Sequence, residues 1–294
     1  MKILVTGSTG FTGERVVQRL VDSGIRPRCL ARLTSDVRAL LGLGLEVVRG
    51  DIGDAESLHR ALDGVDVLLN ATSLGFGHAP TLVAAAQRAG VARAVFISTT
   101  AIFTRLNAGS KGPRLDAERL ITESALRYTI VRPTMIYGSA RDRNMVRLVR
   151  WIQRWPAIPI AGNGEHLQQP VYVDDVADAV IAAAQSDAAV RRSYNVAGAA
   201  PLTFNEIVDT VARLLKRRIV KIHLPLAPVS GALRMLERAR LRLPVRSEQI
   251  LRLDEDKAFP YDEAARDFRF APRSFAEGIA AEIAGLALTA PRRA

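Results

Sequence analysis

A doubly wound parallel α/β sheet with a smaller C-terminal region is the fold this sequence predicts, on three observations. A β-branched run at the N-terminus breaks on glycines and passes into an apolar pattern with helical spacing. The same alternation then recurs until six strands have been written by Arg132. Short cores such as Val67-Leu68-Leu69 and Val95-Phe96-Ile97 lack polar alternation, as strands covered on both faces require. Strand, helix, strand in regular succession implies parallel pairing with right-handed crossovers.

Taken in order, the first strand is predicted over Lys2–Thr6 and the first helix over Phe11–Ser23, where Val16, Val17, Leu20 and Val21 share one face. Strands follow at Arg28–Ala31, Leu45–Arg49, Val65–Asn70, Ala94–Ser98 and Tyr128–Arg132. Helices are predicted between them at Ser35–Leu41, Ala55–Leu62, Thr81–Ala89 and Arg114–Glu123. Past Arg132, prolines at 133, 156, 159, 170 and 201 break the rhythm. Residues 1–154 therefore read as the main domain, with 171–197 packing back on it through a helix at Asp174–Ala184. Residues 155–294 form mainly a C-terminal substrate or lid region.

Composition narrows the function. Of 294 residues 48% are apolar, enough for a sizeable core, and the single cysteine, Cys29, excludes an internal disulfide framework and a thiolate metal cage. Only Ile3, Leu4 and Val5 run apolar before Thr6-Gly7, far short of a secretory core, and no stretch is long enough to span a bilayer. A cytoplasmic location is the expectation. The net charge of +11 is regional: Arg213 to Arg252 holds eleven Lys or Arg against Glu237 and Glu248, a local +9. Leu226–Leu243 has the pattern of an amphipathic helix with an arginine face, suited to an anionic membrane surface or an acidic protein partner, or else a solvated lid helix. Nucleic acid is not expected, because the segment has no aromatic residues on which bases could stack.

Gly7-Ser8-Thr9-Gly10-Phe11-Thr12-Gly13 sets three glycines at a spacing of three where the first strand meets the first helix. Gly7 permits the tight turn, Gly10 lets backbone approach a pyrophosphate, and Gly13 lets helix and strand pack closely. The helix N-terminus adds unpaired N–H groups and positive partial charge. This is the Rossmann arrangement for a dinucleotide. The second strand ends Cys29-Leu30-Ala31-Arg32 with no acid until Asp36, so nothing stands ready to accept both ribose hydroxyls of NAD(H). Arg32 can pair instead with a 2′-phosphate through its planar fork. NADP(H) is the preferred cofactor and NAD(H) the alternative.

With further residues in order (Gly50-Asp51-Ile52, Asn70-Ala71-Thr72, Ser98-Thr99-Thr100, Arg132-Pro133-Thr134 and Tyr172-Val173-Asp174-Asp175) nearly the whole chain resembles an extended or atypical short-chain dehydrogenase/reductase. It is most similar to the branch containing the NADH-dehydrogenase accessory subunit and its bacterial relatives. The resemblance implies that Asp51 and Ile52 meet the adenine, that Ala71 and Thr72 line the nicotinamide ribose side, and that Pro133 and Thr134 hold the carboxamide, with Ser98 in the same set. Asp51 has a plain alternative as a helix cap.

The family's chemistry is expected from a Tyr, a Lys four residues later, and a Ser or Thr on the fifth strand. Thr99 or Thr100 supplies the last. Aligned on Ala117-Glu118-Arg119-Leu120, Ser110 stands in the Tyr place and Arg114 in the Lys place. Serine is a far weaker acid than a phenol, and Arg stays protonated, so this pair cannot run the usual relay. Arg114 could still grip a ribose or phosphate. Lys111 is the candidate proton donor if the loop folds inward, and a solvated loop lysine otherwise; Tyr137 is a weaker candidate. Asp174, Asp175 and Asp178 read as helix-capping charges. His59, His78, His166 and His223 are scattered, so no metal site is assigned. The expectation is an NADPH-dependent reductase of a carbonyl or conjugated small molecule. The alternatives are a noncatalytic NADPH-binding assembly or redox-sensing protein and a nucleotide-sugar epimerase or dehydratase.

Overall fold

Four consecutive buried residues make β1 (Ile3–Thr6) a strand without a solvent face, and it lies inside a seven-stranded parallel sheet. The computed structural model describes residues 1–106, 109–142, 144–228, 231 and 255–289. In chain order β1 is followed by α1 (Phe11–Asp22), β2 (Arg28–Ala31), α2 (Arg38–Gly42), β3 (Val47–Arg49), α3 (Ala55–Leu62), β4 (Val67–Asn70), α4 (Ala79–Arg88), β5 (Arg93–Ile97), α5 (Lys111–Glu123) and β6 (Tyr128–Pro133). The chain then passes through β7 (Ile136–Tyr137), α6 (Met145–Arg154), β8 (Ala157–Ala161), β9 (Leu167–Gln168) and β10 (Val171–Tyr172). It returns to the sheet by α7 (Val173–Gln185) and β11 (Arg192–Val196). Finally come β12 (Leu202–Thr203), α8 (Phe204–Leu214), β13 (Val220–Leu224), α9 (Asp262–Phe268) and α10 (Phe275–Thr289).

The sheet order is β11-β6-β5-β4-β1-β2-β3. Chain order reverses between β1 and β4, which makes the crevice at their carboxyl ends the place where such a sheet takes its ligand. On one face Ile3, Val5, Cys29 and Leu69 meet Val16, Val17 and Leu20 of α1 and Val176, Ala177 and Val180 of α7. On the other, Leu4, Leu68 and Phe96 meet Leu58 and Leu62 of α3, Leu82 and Ala86 of α4, and Ile121 of α5. Each fully buried Val, Leu or Phe contributes about 1.5–3 kcal/mol. A separate core, with Leu148, Val149 and Ile152 of α6, Ile158 and Ile160 of β8, Ile207 and Val211 of α8 and Ile279 of α10, builds the smaller C-terminal region.

Three differences from the sequence reading have physical causes. The sheet has a seventh strand, β11, paired parallel with β6 so that Tyr194 lies opposite Val131 and Val196 opposite Pro133. With Ser193 and Asn195 between its apolar residues, it is an edge strand that owes its conformation to pairing. Helix α2 covers only Arg38–Gly42, because Ser35 N–H closes a turn on the Arg32 carbonyl and Asp36 is taken by Arg38. Helix α5 begins at Lys111 rather than Arg114, since Pro113 is tolerated in a first turn whose N–H groups have no helical partners. The predicted helix at Leu226–Leu243 lies largely outside the described residues, as does most of the basic segment from Arg213 to Arg252.

Candidate functional site

At the carboxyl edge of β1, Thr6 donates its hydroxyl hydrogen to Asn70 Oδ1 at 2.6 Å, and Asn70 Nδ2 donates to the Thr72 carbonyl at 3.0 Å. These bonds join β1 to β4 at the switch point. Gly7 adopts φ +68°, and a Cβ there would stand 2.9 Å from the backbone of Ala71 and Thr72. Gly10 N–H closes the turn on the Gly7 carbonyl at 2.8 Å. At Gly13 a Cβ would fall 2.1 Å from that same carbonyl oxygen, so α1 lies as near β1 as backbones allow. Gly10 is the N-cap of α1 and no side chain caps the helix. Phe11, Thr12 and Gly13 thus present first-turn N–H groups and the positive end of the helix dipole toward the crevice. That cradle fits a dinucleotide pyrophosphate.

Neighbouring side chains brace it. Ser8 is buried and donates to the Leu30 carbonyl, so its hydroxyl belongs to the turn. Arg141, which the sequence reading did not single out, reaches the Thr9 carbonyl with Nη2 at 2.9 Å and Glu14 with Nη1. No local pattern marks it; only the fold brings residue 141 over residue 9. Asp174 and Asp175 stand in the first turn of α7, where their charge complements the helix dipole as the sequence reading expects, while Asp178 lies one turn on. Helix α7 starts without a side-chain cap, and the three carboxylates pair with Arg15, Arg273 and Arg19. Two of these pairs fasten α7 to α1, the helix that carries the cradle.

Arg32 is exposed at the end of β2. Arg49, from the end of β3, donates through Nη1 to the carbonyls of Arg32 and Ser35, each at 2.9 Å, and so fixes the loop that presents Arg32. The Arg38 guanidinium holds the Asp36 carboxyl down to about 2, so the next acid along the chain is ionised but already paired. Asp51 accepts from Gly53 N–H at 2.8 Å, and the cap of α3 is Asp54, which accepts from Ser57 N–H at 2.9 Å. Asp51 is exposed and Ile52 half-buried beside Asp51 at the β3 edge.

The residues expected at the nicotinamide end stand at β5 and β6. Ser98 is buried and donates to Glu118, whose carboxylate also receives a two-pronged bond from Arg132. Thr99 and Thr100 differ in what their hydroxyls have left to give. Thr99 Oγ1 accepts from Ala101 N–H at 3.2 Å, and its own hydrogen has no acceptor among the described residues, whereas Thr100 Oγ1 is buried and donates to the Pro133 carbonyl at 3.3 Å. Thr134 spends its hydroxyl on the Gln169 carbonyl. Lys111 Nζ lies 2.6 Å from the Thr104 carbonyl, and Arg114 Nη1 lies 2.7 Å from Ser110 Oγ. The places of the family's Tyr and Lys are thus filled by two groups bonded to each other. Tyr137 is wholly buried against Tyr172 and Phe275, and burial pushes its phenol far above the usual range, with Asp175 and Glu282 adding to the rise. It is a core residue. Phe103 extends from the β5 end, half exposed, with Phe259 5.7 Å away and the Arg132 guanidinium 5.5 Å from its ring centre.

Residues 7–187 match the family model described as NAD(P)H-binding. The chain is 33% identical over 234 residues to the (4-alkanoyl-5-oxo-2,5-dihydrofuran-3-yl)methyl phosphate reductase of Streptomyces griseus, covering 73% of this chain and 74% of that one. It is 29% identical over 247 residues to the ceramide reductase of Caulobacter vibrioides, covering 79% and 76%. Over 223 residues it is 27% identical to the mitochondrial NADH dehydrogenase (ubiquinone) 1 alpha subcomplex subunit 9 of Dictyostelium discoideum; the match takes in 70% of this chain but spans only 62% of that protein's length. In structure it is similar to the UDP-glucose 4-epimerase of Thermotoga maritima, with a TM-score of 0.77, 18% identity, and coverage of 98% and 99%, a likeness of fold. With a glycine cradle at the switch point and a family model matched across it, the chain belongs to the NAD(P)H-binding family, as an atypical, epimerase-like short-chain dehydrogenase/reductase.

Proposed function

We propose that the protein is an NADPH-dependent reductase of a carbonyl or conjugated small molecule that works without a Tyr–Lys relay. The observation that carries this reading is the Thr99 hydroxyl at the end of β5, whose hydrogen has no acceptor among the described residues, on the same sheet edge as a cradle built for a dinucleotide. When bound, the reduced nicotinamide supplies a hydride. Thr99 orients and polarises the substrate oxygen by donating to it, and water in the crevice delivers the proton, since neither Ser110 nor Arg114 is an acid fit for pH 7. Phe103 and Phe259 offer an apolar shelf for the body of the substrate. Two of the relatives are named as reductases, which supports the class of reaction.

The test is NADPH consumption against enones, aldehydes, ketones, quinones and nucleotide sugars. Turnover is expected within the carbonyl or conjugated group and only background with nucleotide sugars. Thr99→Val should lower kcat roughly 10²–10³-fold, as loss of one oxyanion-stabilising donor does, with NADPH affinity unchanged. Rapid nucleotide-sugar turnover would overturn the reading. Tight NADPH binding without any turnover would favour a noncatalytic assembly or redox-sensing role, which the mutual Ser110–Arg114 bond and the likeness to a respiratory-complex subunit support.

Cofactor choice is a second expected result. NADP(H) should bind more tightly than NAD(H) because Arg32 is presented by the Arg49-braced loop and Asp36 is already paired. A charge-assisted bond to the 2′-phosphate contributes about 1.5–3 kcal/mol. Calorimetric titration of both cofactors should show that preference in the wild type and its loss in Arg32→Ala; equal affinities in the wild type would end the argument.

A further inference from the structure

Strands β8 and β13 form a two-stranded parallel ribbon on the C-terminal region, pairing Val220 with Ala157, Ile222 with Pro159 and Leu224 with Ala161. Alternation sends Ile158 and Ile160 inward to the core with α6 and α8, and turns Lys221 to Asp209 of α8 at 2.7 Å. The outer face is left with Val220, Ile222 and Leu224 beside Ala157, Pro159 and Ala161. The described residues place no polar side chain on it, and Val220 is 63% and Ile222 47% exposed. At the head of the ribbon stand Trp151 and Trp155, 42% and 48% exposed, with ring centres 6.3 Å apart. Trp151 Nε1 donates to the Ala157 carbonyl at 2.8 Å, which joins the pair to the ribbon.

Exposed cations adjoin this face, the Arg154 guanidinium 5.5 Å from the ring centre of Trp155. Arg147, Arg150 and Arg154 are exposed on α6, and Arg213, Lys216, Arg217 and Arg218 lie exposed between the end of α8 and the start of β13. No Asp or Glu occurs from 144 to 164 or from 210 to 228. An acidic protein partner would be met by polar groups among the cations, whereas here an apolar face is edged by two tryptophans and then by arginines. That layering matches a bilayer surface: acyl boundary, interfacial aromatic level, anionic headgroups. Among the described residues no helix is long and apolar enough to cross a membrane, so the contact is a surface one.

We propose that the β8–β13 ribbon with Trp151 and Trp155 is a docking face for an anionic lipid bilayer. Trp151 and Trp155 are the only tryptophans in the chain, so tryptophan emission, excited apart from tyrosine, reads this face alone. The experiment mixes the full chain with vesicles of phosphatidylcholine, with and without phosphatidylglycerol, and with bilayers carrying brominated acyl chains. Cosedimentation with the anionic vesicles, a blue shift of emission and quenching by the brominated chains are expected. Screening acts over about 8 Å at physiological salt, so added salt should weaken the attachment. Arg150→Gln and Arg217→Gln should each cost about fivefold in vesicle affinity, the value of one cation near an anionic surface. Ile222→Asp and Trp155→Ser should abolish binding while NADPH affinity, the check on folding, stays as in the wild type. Vesicle binding that survives Ile222→Asp in a folded protein, or binding without quenching, would overturn the proposal. So would no binding at low salt, or attachment to polyglutamate but not to vesicles.

Discussion

Gly13→Ala should reduce NADPH affinity by about 10² or more, because the added carbon lands 2.1 Å from the Gly7 carbonyl oxygen and 2.7 Å from its carbonyl carbon. Neither side can yield. Gly7 is held at φ +68° and backs closely onto Ala71 and Thr72, and α1 is fastened to α7 through Arg15–Asp174 and Arg19–Asp178. The helix must shift by about 1 Å, and a misplacement of that size in a binding constellation costs roughly 10²-fold. Overpacking should also lower stability by about 1–3 kcal/mol. Gly42→Ala is the control, since a Cβ there meets nothing within 4 Å. Calorimetric titration and thermal unfolding of both variants decide the matter: if Gly13→Ala binds NADPH as the wild type does, the close approach of α1 is not what forms the cradle.

Glu282 should make the protein less stable at pH 8 than at pH 5. It is 2% exposed on α10, no side chain pairs with its carboxyl among the described residues, and burial, with the Asp142 carboxylate adding and the Gly138 backbone N–H partly offsetting, pushes its pKa up to about 8. In the unfolded chain a Glu titrates near 4.3. Below that value both states are protonated and the group is neutral to stability. Between about 4.3 and 8 the unfolded chain ionises while the native one holds its proton, so stability falls as pH rises, by up to about 1.4 kcal/mol per pH unit. Above pH 8 both states are ionised and the loss, a few kcal/mol at most, is complete. Denaturant unfolding of the wild type and Glu282→Gln at pH 5, 6.5 and 8 measures this. The Gln variant should show a much flatter profile across that window, and an identical slope in the two proteins would assign the pH dependence elsewhere.

Most of the sheet and the cradle are legible in the chain itself, because both rest on local rules. Strand cores such as Val67-Leu68-Leu69 are apolar whichever neighbour covers them, and three glycines at a strand–helix junction are required by backbone approach alone. The absence of a Tyr–Lys pair is equally local, since it depends only on which residues occupy α5. Arg32 at the end of β2 is also visible, with Asp36 the next acid.

What tertiary structure alone decided is where polar side chains spend their hydrogen bonds. Sequence spacing left Thr99 and Thr100 equivalent; the fold commits Thr100 to Pro133 and leaves the Thr99 hydrogen without an acceptor among the described residues. It sets Lys111 on the Thr104 carbonyl, buries Tyr137, and gives three aspartates of α7 ion pairs with arginines far away in sequence. Arg49 and Arg141 become part of the site through residues 17 and 132 positions away, and β11 becomes a strand only by lying against β6. The reason is the same throughout. Apolar patterning and glycine spacing are read along a single element, but a hydrogen bond or an ion pair needs a partner, and the partner is supplied by topology.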